Sequence, residues 1–241
     1  ILAFIMEPIG GASTGALVAP DIYYSRIREI CDEFSIFLIY DEVMTGVGRT
    51  GKFLACEHWD INPDIIATAK GFGAGYVPLG AMTAKQEIVD TVLNSGGFQH
   101  GYTYAGNPIA CAAGLAVINE IYQNNLMANT SEMGARLITG LNTLKEKYDF
   151  IGDVRGKGLL TAFEFVSNRE TMEPLPSDIN AHIKFVNMAY DKGLIIYSRR
   201  TRMCIKGDHF LVCPPMIIND TQIDDILSIL DDCLRLYSKE L

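Results

Sequence analysis

Two short apolar runs constrain this chain more than any other feature. Residues 36–40 read IFLIY and residues 65–69 read IIATA, and each ends on charge. Runs of this length, rich in Ile, Leu and Phe and lacking polar alternation, suit strands buried on both faces of a parallel sheet. The first run delivers Asp41 and Glu42, the second Lys70. In open α/β sheets a ligand binds beyond the carboxyl ends of the strands. A carboxylate and an amine placed there would face one site.

A lysine amine can form a Schiff base with an aldehyde cofactor. A carboxylate beside the ring nitrogen of pyridoxal phosphate keeps that nitrogen protonated, so that the ring can accept electrons. On spacing alone a salt bridge, or two unrelated strand-end charges, is the commoner explanation, because strand ends are polar in most α/β domains.

Longer words carry more information. They are D41-E42-V43-M44-T45-G46-V47-G48-R49-T50-G51, C56-E57-H58-W59, P63-D64-I65-I66-A67-T68-A69-K70-G71, G75-Y76-V77-P78-L79-G80-A81, H100-G101-Y102-T103-Y104-A105-G106-N107-P108 and V154-R155-G156-K157-G158-L159. In this order they resemble the class III (ω-type) pyridoxal-phosphate aminotransferases, over nearly the whole chain from E7-P8 to P214-P215.

The resemblance implies a type I PLP-transferase fold. A mostly parallel large domain, incomplete at its N-terminus, would occupy residues 1–149, and a smaller α+β domain residues 150–241. Lys70 would be the Schiff-base lysine, serving as base and acid once substrate displaces it. Asp41 would partner the ring nitrogen and Val43 would press on one ring face. Thr103 would bind the cofactor phosphate of a neighbouring subunit, which implies a homodimer or larger assembly. Glu7 would join the cofactor-side residues; in ornithine- and γ-aminobutyrate-type members a matching glutamate pairs with an arginine three residues before the P-P pair. Here that position holds Leu211, and Met44 stands where those members carry glutamine after D-E-V. The departures point away from the glutamate/2-oxoglutarate pair and toward an ω-amino acid or amine donor with pyruvate. Relatives with similar words include a diaminononanoate aminotransferase, a semialdehyde mutase and a dialkylglycine decarboxylase. Family members run to about twice this length, and the strand-like opening ILAFIME suggests a piece of something longer. A non-catalytic fragment is the reading of another class.

Composition sets outer bounds. The 241 residues are enough for one large or two modest domains. A net charge of −9 disfavours nucleic acid or an anionic membrane as the main partner. Cysteines at 31, 56, 111, 204, 213 and 233 show no metal-type spacing and read as reduced thiols of a cytoplasmic protein. No apolar run approaches the ~20 residues of a membrane span.

Along the chain, residues 2–6 read as a strand ending at Glu7. The stretch P8-I9-G10-G11-A12-S13-T14-G15 is glycine-rich but matches no phosphate-binding motif. Helices are expected near 21–34, with Asp21 as cap and Ile22, Ile27, Ile30 and Cys31 on one face, and near 85–93, after Pro108, and over 131–148. Further strands are expected at 80–84, 154–156, 160–166, 194–197 and 210–213, the one at 160–166 with a wet face. A helix over 179–192 should stop at Gly193. The last should be capped by Asp220 or Thr221 and end near Tyr237. Trp59 and Tyr76 read as pocket-lining or core residues. The cluster R199-R200-T201-R202 reads as a solvated turn or a carboxylate contact.

Overall fold

The computed structural model describes residues 1–202 and 205–241, which leaves Cys204 outside the described residues. The chain separates into two compact units. One comprises Ile1–Pro8 and Ala19–Leu126, the other Ile9–Val18 and Met127–Leu241.

The first unit is α/β. Its sheet has the order β1 (Ala3–Met6), β2 (Phe37–Asp41), β3 (Ile65–Thr68), β4 (Ala81–Ala84). The first two pairings are parallel and the last is antiparallel. Helices α1 (Asp21–Glu33), α2 (Gln86–Asn94) and α3 (Pro108–Gln123) complete the unit. Both diagnostic runs are therefore strands, and they are neighbours. The core beside β2 consists of Tyr24, Cys31, Leu38, Tyr40, Cys56 and Ile61. On α1 the buried residues are Tyr24 and Cys31, while Ile22 is exposed, which rotates the expected apolar face. Asp21 does not cap α1. Its carboxylate accepts from the Trp59 indole at 2.8 Å, and Trp59 stacks on Tyr24 with ring centroids 3.6 Å apart. Trp59 thus has a packing role. At the start of β3, Asp64 accepts from the Leu38 backbone N–H (2.7 Å) and pairs with Arg28 (3.0 Å) and Lys85 (2.6 Å). Three elements are tied through one carboxylate.

The second unit holds α4 (Leu126–Lys147), β5 (Ile151–Lys157), β6 (Leu160–Asn168), β7 (Glu173–Pro174), α5 (Ala181–Asp191), β8 (Tyr197–Arg202), β9 (Lys206–Val212) and α6 (Asp220–Tyr237). Its sheet is antiparallel in the order β5-β6-β9-β8, with β7 beside β6. Helix α4 groups here because Met133, Leu137, Leu141 and Leu144 enter the same core as Phe163, Phe165 and Phe210. The division therefore falls at Leu126/Met127, ahead of the change in sequence character at 149.

Three local expectations are corrected. Strand β6 has no continuous wet face: Ala162 and Phe163 are both fully buried although they point to opposite faces. The arginine-rich cluster is the edge strand β8 rather than a turn, because Arg200 finds a buried partner in Asp208 (3.0 Å). Asn219 caps α6 through a reciprocal pair with Gln222. The stop at Gly193 holds: it has φ +85°, and its N–H donates to Tyr190 O.

Candidate active site

The site is built at the carboxyl ends of β1, β2 and β3. Parallel pairing sets Ile39 opposite Ile65 and Asp41 opposite Ala67, and Lys70 follows one residue, Ala69, beyond that strand. Strand β1 ends at Met6, opposite Tyr40, so Glu7 follows at the same edge. Chain direction alone delivers Glu7, Asp41 and Lys70 to one side of the sheet.

Asp41 is half-buried, and its Oδ1 accepts the Val43 N–H at 3.0 Å. This Asx turn orients the carboxylate and leaves Oδ2 as the oxygen available to a ligand N–H. Lys70 is exposed and opens a short 3-10 helix, Lys70–Gly73, with φ +46°. A left-handed lysine is uncommon, and such strain concentrates at functional sites. Among the described residues neither Asp41 nor Lys70 forms an ion pair, so the salt-bridge alternative is not what the structure holds. A shallow depression of about 620 Å³ is lined by Lys70, Gly75, Tyr76, Val77, Pro78, Leu79 and Gly80.

The loop after β2 is held by Glu42, which is fully buried. Its carboxylate accepts from the Thr45 hydroxyl and from the backbone N–H groups of Ala55 and Cys56, both at 2.9 Å. Burial pushes the Glu42 carboxyl up, and these bonds partly offset it. Val47 sits beneath Gly71 with φ +58°, strain that a β-branched residue rarely carries. Sequence reasoning missed Val47; the flanking Gly46 and Gly48 were the available signal.

Val43 is half-buried and donates its N–H to Asp41. Thr103 lies in an exposed loop ahead of α3, where Asn107 caps the helix by accepting from Ile109 N–H (2.9 Å) and Ala110 N–H (3.4 Å). In the second unit Leu211 is buried in β9, and Arg200 is occupied by Asp208, Ser177 O and Asn180 Oδ1. Among the described residues no cluster of His, Cys, Asp and Glu could hold a metal ion. No helix among them is long and apolar enough to cross a membrane.

The residues present fit pyridoxal phosphate. An unpaired amine and a pre-oriented carboxylate share one sheet edge, and Gly71 and Gly73 beside Lys70 let backbone approach closely.

The chain is 36% identical over its whole length to the uncharacterized aminotransferase YodT of Bacillus subtilis, covering 55% of that protein. It is 38% identical, over 96% of its length, to a leucine/methionine racemase of Thermococcus litoralis, covering 49% of it. An amine transaminase from an uncultivated Pseudomonas species, solved in a PLP-bound form, superposes with a TM-score of 0.89 at 38% identity, with 97% of this chain and 52% of that one covered. The chain thus spans about half the length of the relatives it matches. The family model for class III aminotransferases matches residues 1–234, and this chain belongs to that family.

Proposed function

We propose that this chain is part of a pyridoxal-phosphate-dependent aminotransferase that moves an amino group from an ω-amino acid or amine to a 2-oxo acid, with pyruvate as acceptor. The observation that carries the reading is the register of β2 and β3, which brings Asp41 and Lys70 to one sheet edge without pairing them. When bound, pyridoxal phosphate supplies an aldehyde for covalent attachment and a ring that takes up electrons from the substrate carbon. Lys70 Nζ, free of an ion pair among the described residues, is the attaching amine. With the cofactor bound, Lys70 would be the base for the proton at the amine-bearing substrate carbon. Asp41 Oδ2 would accept the ring N–H and hold that proton in place. Val43 would pack on the ring, and Glu7 follows β1 at the same end of the sheet.

Thr103, exposed on its loop, is presented to the cofactor phosphate of a second subunit, giving a homodimer with shared sites. The exposed Phe98, Tyr102, Tyr104 and Ile109 around it support this assembly. Leu211 and Met44 support pyruvate over 2-oxoglutarate, since neither offers charge to a second carboxylate. Scattered thiols support a cytoplasmic setting.

The test is borohydride trapping with pyridoxal phosphate, followed by peptide mapping. Label concentrated on Lys70, and lost in Lys70→Ala together with turnover by about a thousand-fold or more, is expected. Label spread over surface lysines would overturn the assignment. A second reading, amino-acid racemization, is favoured by the 38% identity to the racemase. Interconversion of L- and D-leucine without any 2-oxo acid would select it.

A further inference from the structure

The glycine-rich stretch after β1 is the sequence motif that the strand-end site leaves unexplained. Its residues 10–17 close on themselves: Gly10 N–H donates to Leu17 O at 2.8 Å and Gly15 N–H to Gly11 O at 2.9 Å. Two side chains from the antiparallel sheet of the same unit reach it. Arg155 on β5 donates from Nε to Gly15 O (2.6 Å) and from Nη2 to Thr14 O (3.1 Å). Asp153 (2.9 Å) and Glu164 (2.8 Å) hold the guanidinium in place. His209 on β9 is fully buried, with Nε2 2.9 Å from Ala12 O. A carbonyl only accepts, so Nε2 carries the proton. Nδ1 is then a buried lone pair with no hydrogen-bond partner among the described residues. Gly15 lies flat against both side chains. It has φ +68°, and a Cβ there would come within 2.6 Å of His209 Cδ2 and 2.9 Å of Arg155 Nη2. The glycine serves close packing on this pair rather than an anion.

We propose that Arg155 and His209 form an acid-releasable clamp on segment 10–17, in which Arg155 holds at any pH and His209 holds only while its imidazole is neutral. Protonation takes one proton from solvent onto Nδ1, where no acceptor waits. The surrounding charges do not answer it. Arg155 repels it from β5. Glu164, directly across on β6, is committed to Arg155. Asp208, next along β9, is committed to Arg200 and His182. Arg199, across on β8, is a further cation whose Nε donates to the Tyr197 hydroxyl. Burial, the largest influence, and Arg155 together lower the His209 pKa against the pull of Ala12 O, Glu164 and Asp208. A base held neutral in the closed state stabilises it fully above the ordinary histidine value of about 6.5. That contribution is lost as pH falls from there through the lowered value, and the opening constant rises about tenfold per pH unit. Pro8 and Ile9 join the segment to Glu7, so release unpins the chain beyond that carboxylate; this consequence rests on the strand-end reading of the site.

Hydrogen exchange of the Gly10 and Gly15 amides tests the clamp, compared at about pH 7.5 and about pH 5.5 after correction for intrinsic rates. Wild-type protection should fall several-fold, toward a ceiling of about tenfold, at the lower pH. His209→Gln keeps a donor for Ala12 O but does not titrate, and should hold its protection at both. Arg155→Lys should lose protection at both. Unchanged wild-type protection, or the same acid loss in His209→Gln, would overturn the proposal. Nitrogen-15 NMR of wild-type His209 is independent of any variant: the neutral Nε2–H tautomer is expected near neutral pH, and a proton on Nδ1 there would sink the idea. Borohydride labelling of Lys70 reports on the strand-end site separately, so failure of one reading does not imitate failure of the other.

Discussion

The two units bury their apolar residues to different extents. In the second unit Phe163, Phe165, Phe185, Phe210 and Tyr237 form one packed ring cluster, each at most 1% exposed, and Phe165 lies 4.6 Å from Phe210 between ring centroids. The antiparallel sheet and its helices close this core on themselves. The first unit packs a smaller core beside β2 and leaves Ile5 (65% exposed), Ile109 (74%) and Tyr104 (80%) at its surface. The second unit also exposes apolar side chains, Ile195 (82%) and Ile217 (68%) among them, but outside its ring cluster. Segment 10–17 belongs to this unit and is held within it by Arg155 and His209.

The contrast can be broken by mutation. Phe165→Ala should cost about 3–5 kcal/mol through loss of buried area plus a cavity. Read by hydrogen exchange, the loss should appear in β6 and β9 and leave β2 and β3 untouched. Equal loss in both would mean that the units unfold as one. Asp64→Asn should cost about 3 kcal/mol in the first unit, because it leaves Arg28 and Lys85 facing a neutral group. Burial raises the Asp64 pKa, but bonds from Lys85, Leu38 N–H and Arg28 outweigh it and hold it below the usual carboxylate range. Its stabilisation is therefore present above that range and lost as pH falls through the lowered value. An acid titration of stability that is the same with and without Asp64 would refute this. The smallest effect is expected from Asn107→Ala, about 1 kcal/mol through loss of the α3 cap. Its signature is local fraying of the helix that follows the Thr103 loop, and a global shift of the melting curve would argue against a purely local cap.

Legibility followed the range of the interactions. Strands β2 and β3, Pro108 in the first turn of α3 and the Gly193 stop were readable, because burial pattern, ring geometry and positive φ act within a few residues. Asp21 misled as a cap, since Trp59, distant in sequence, takes its carboxylate. The arginine cluster misled as a turn, since its partner Asp208 is supplied by the next strand. The unit boundary misled as well: nothing local in α4 says which core Leu137 and Leu141 will enter.

The sequence by itself determined that Asp41 and Lys70 follow two short strands, although the burial expected on both faces is met only in part: β2 buries Leu38 and Tyr40, and β3 is half-buried throughout. Tertiary structure decided that the strands are adjacent and in register, and that the two groups stay unpaired. It also decided that Gly15 packs against Arg155 and His209. The β2–β3 pairing joins Ile39 to Ile65 across an intervening loop, and His209 meets Ala12 at a separation of 197 positions, so local sequence carries no energy term for either.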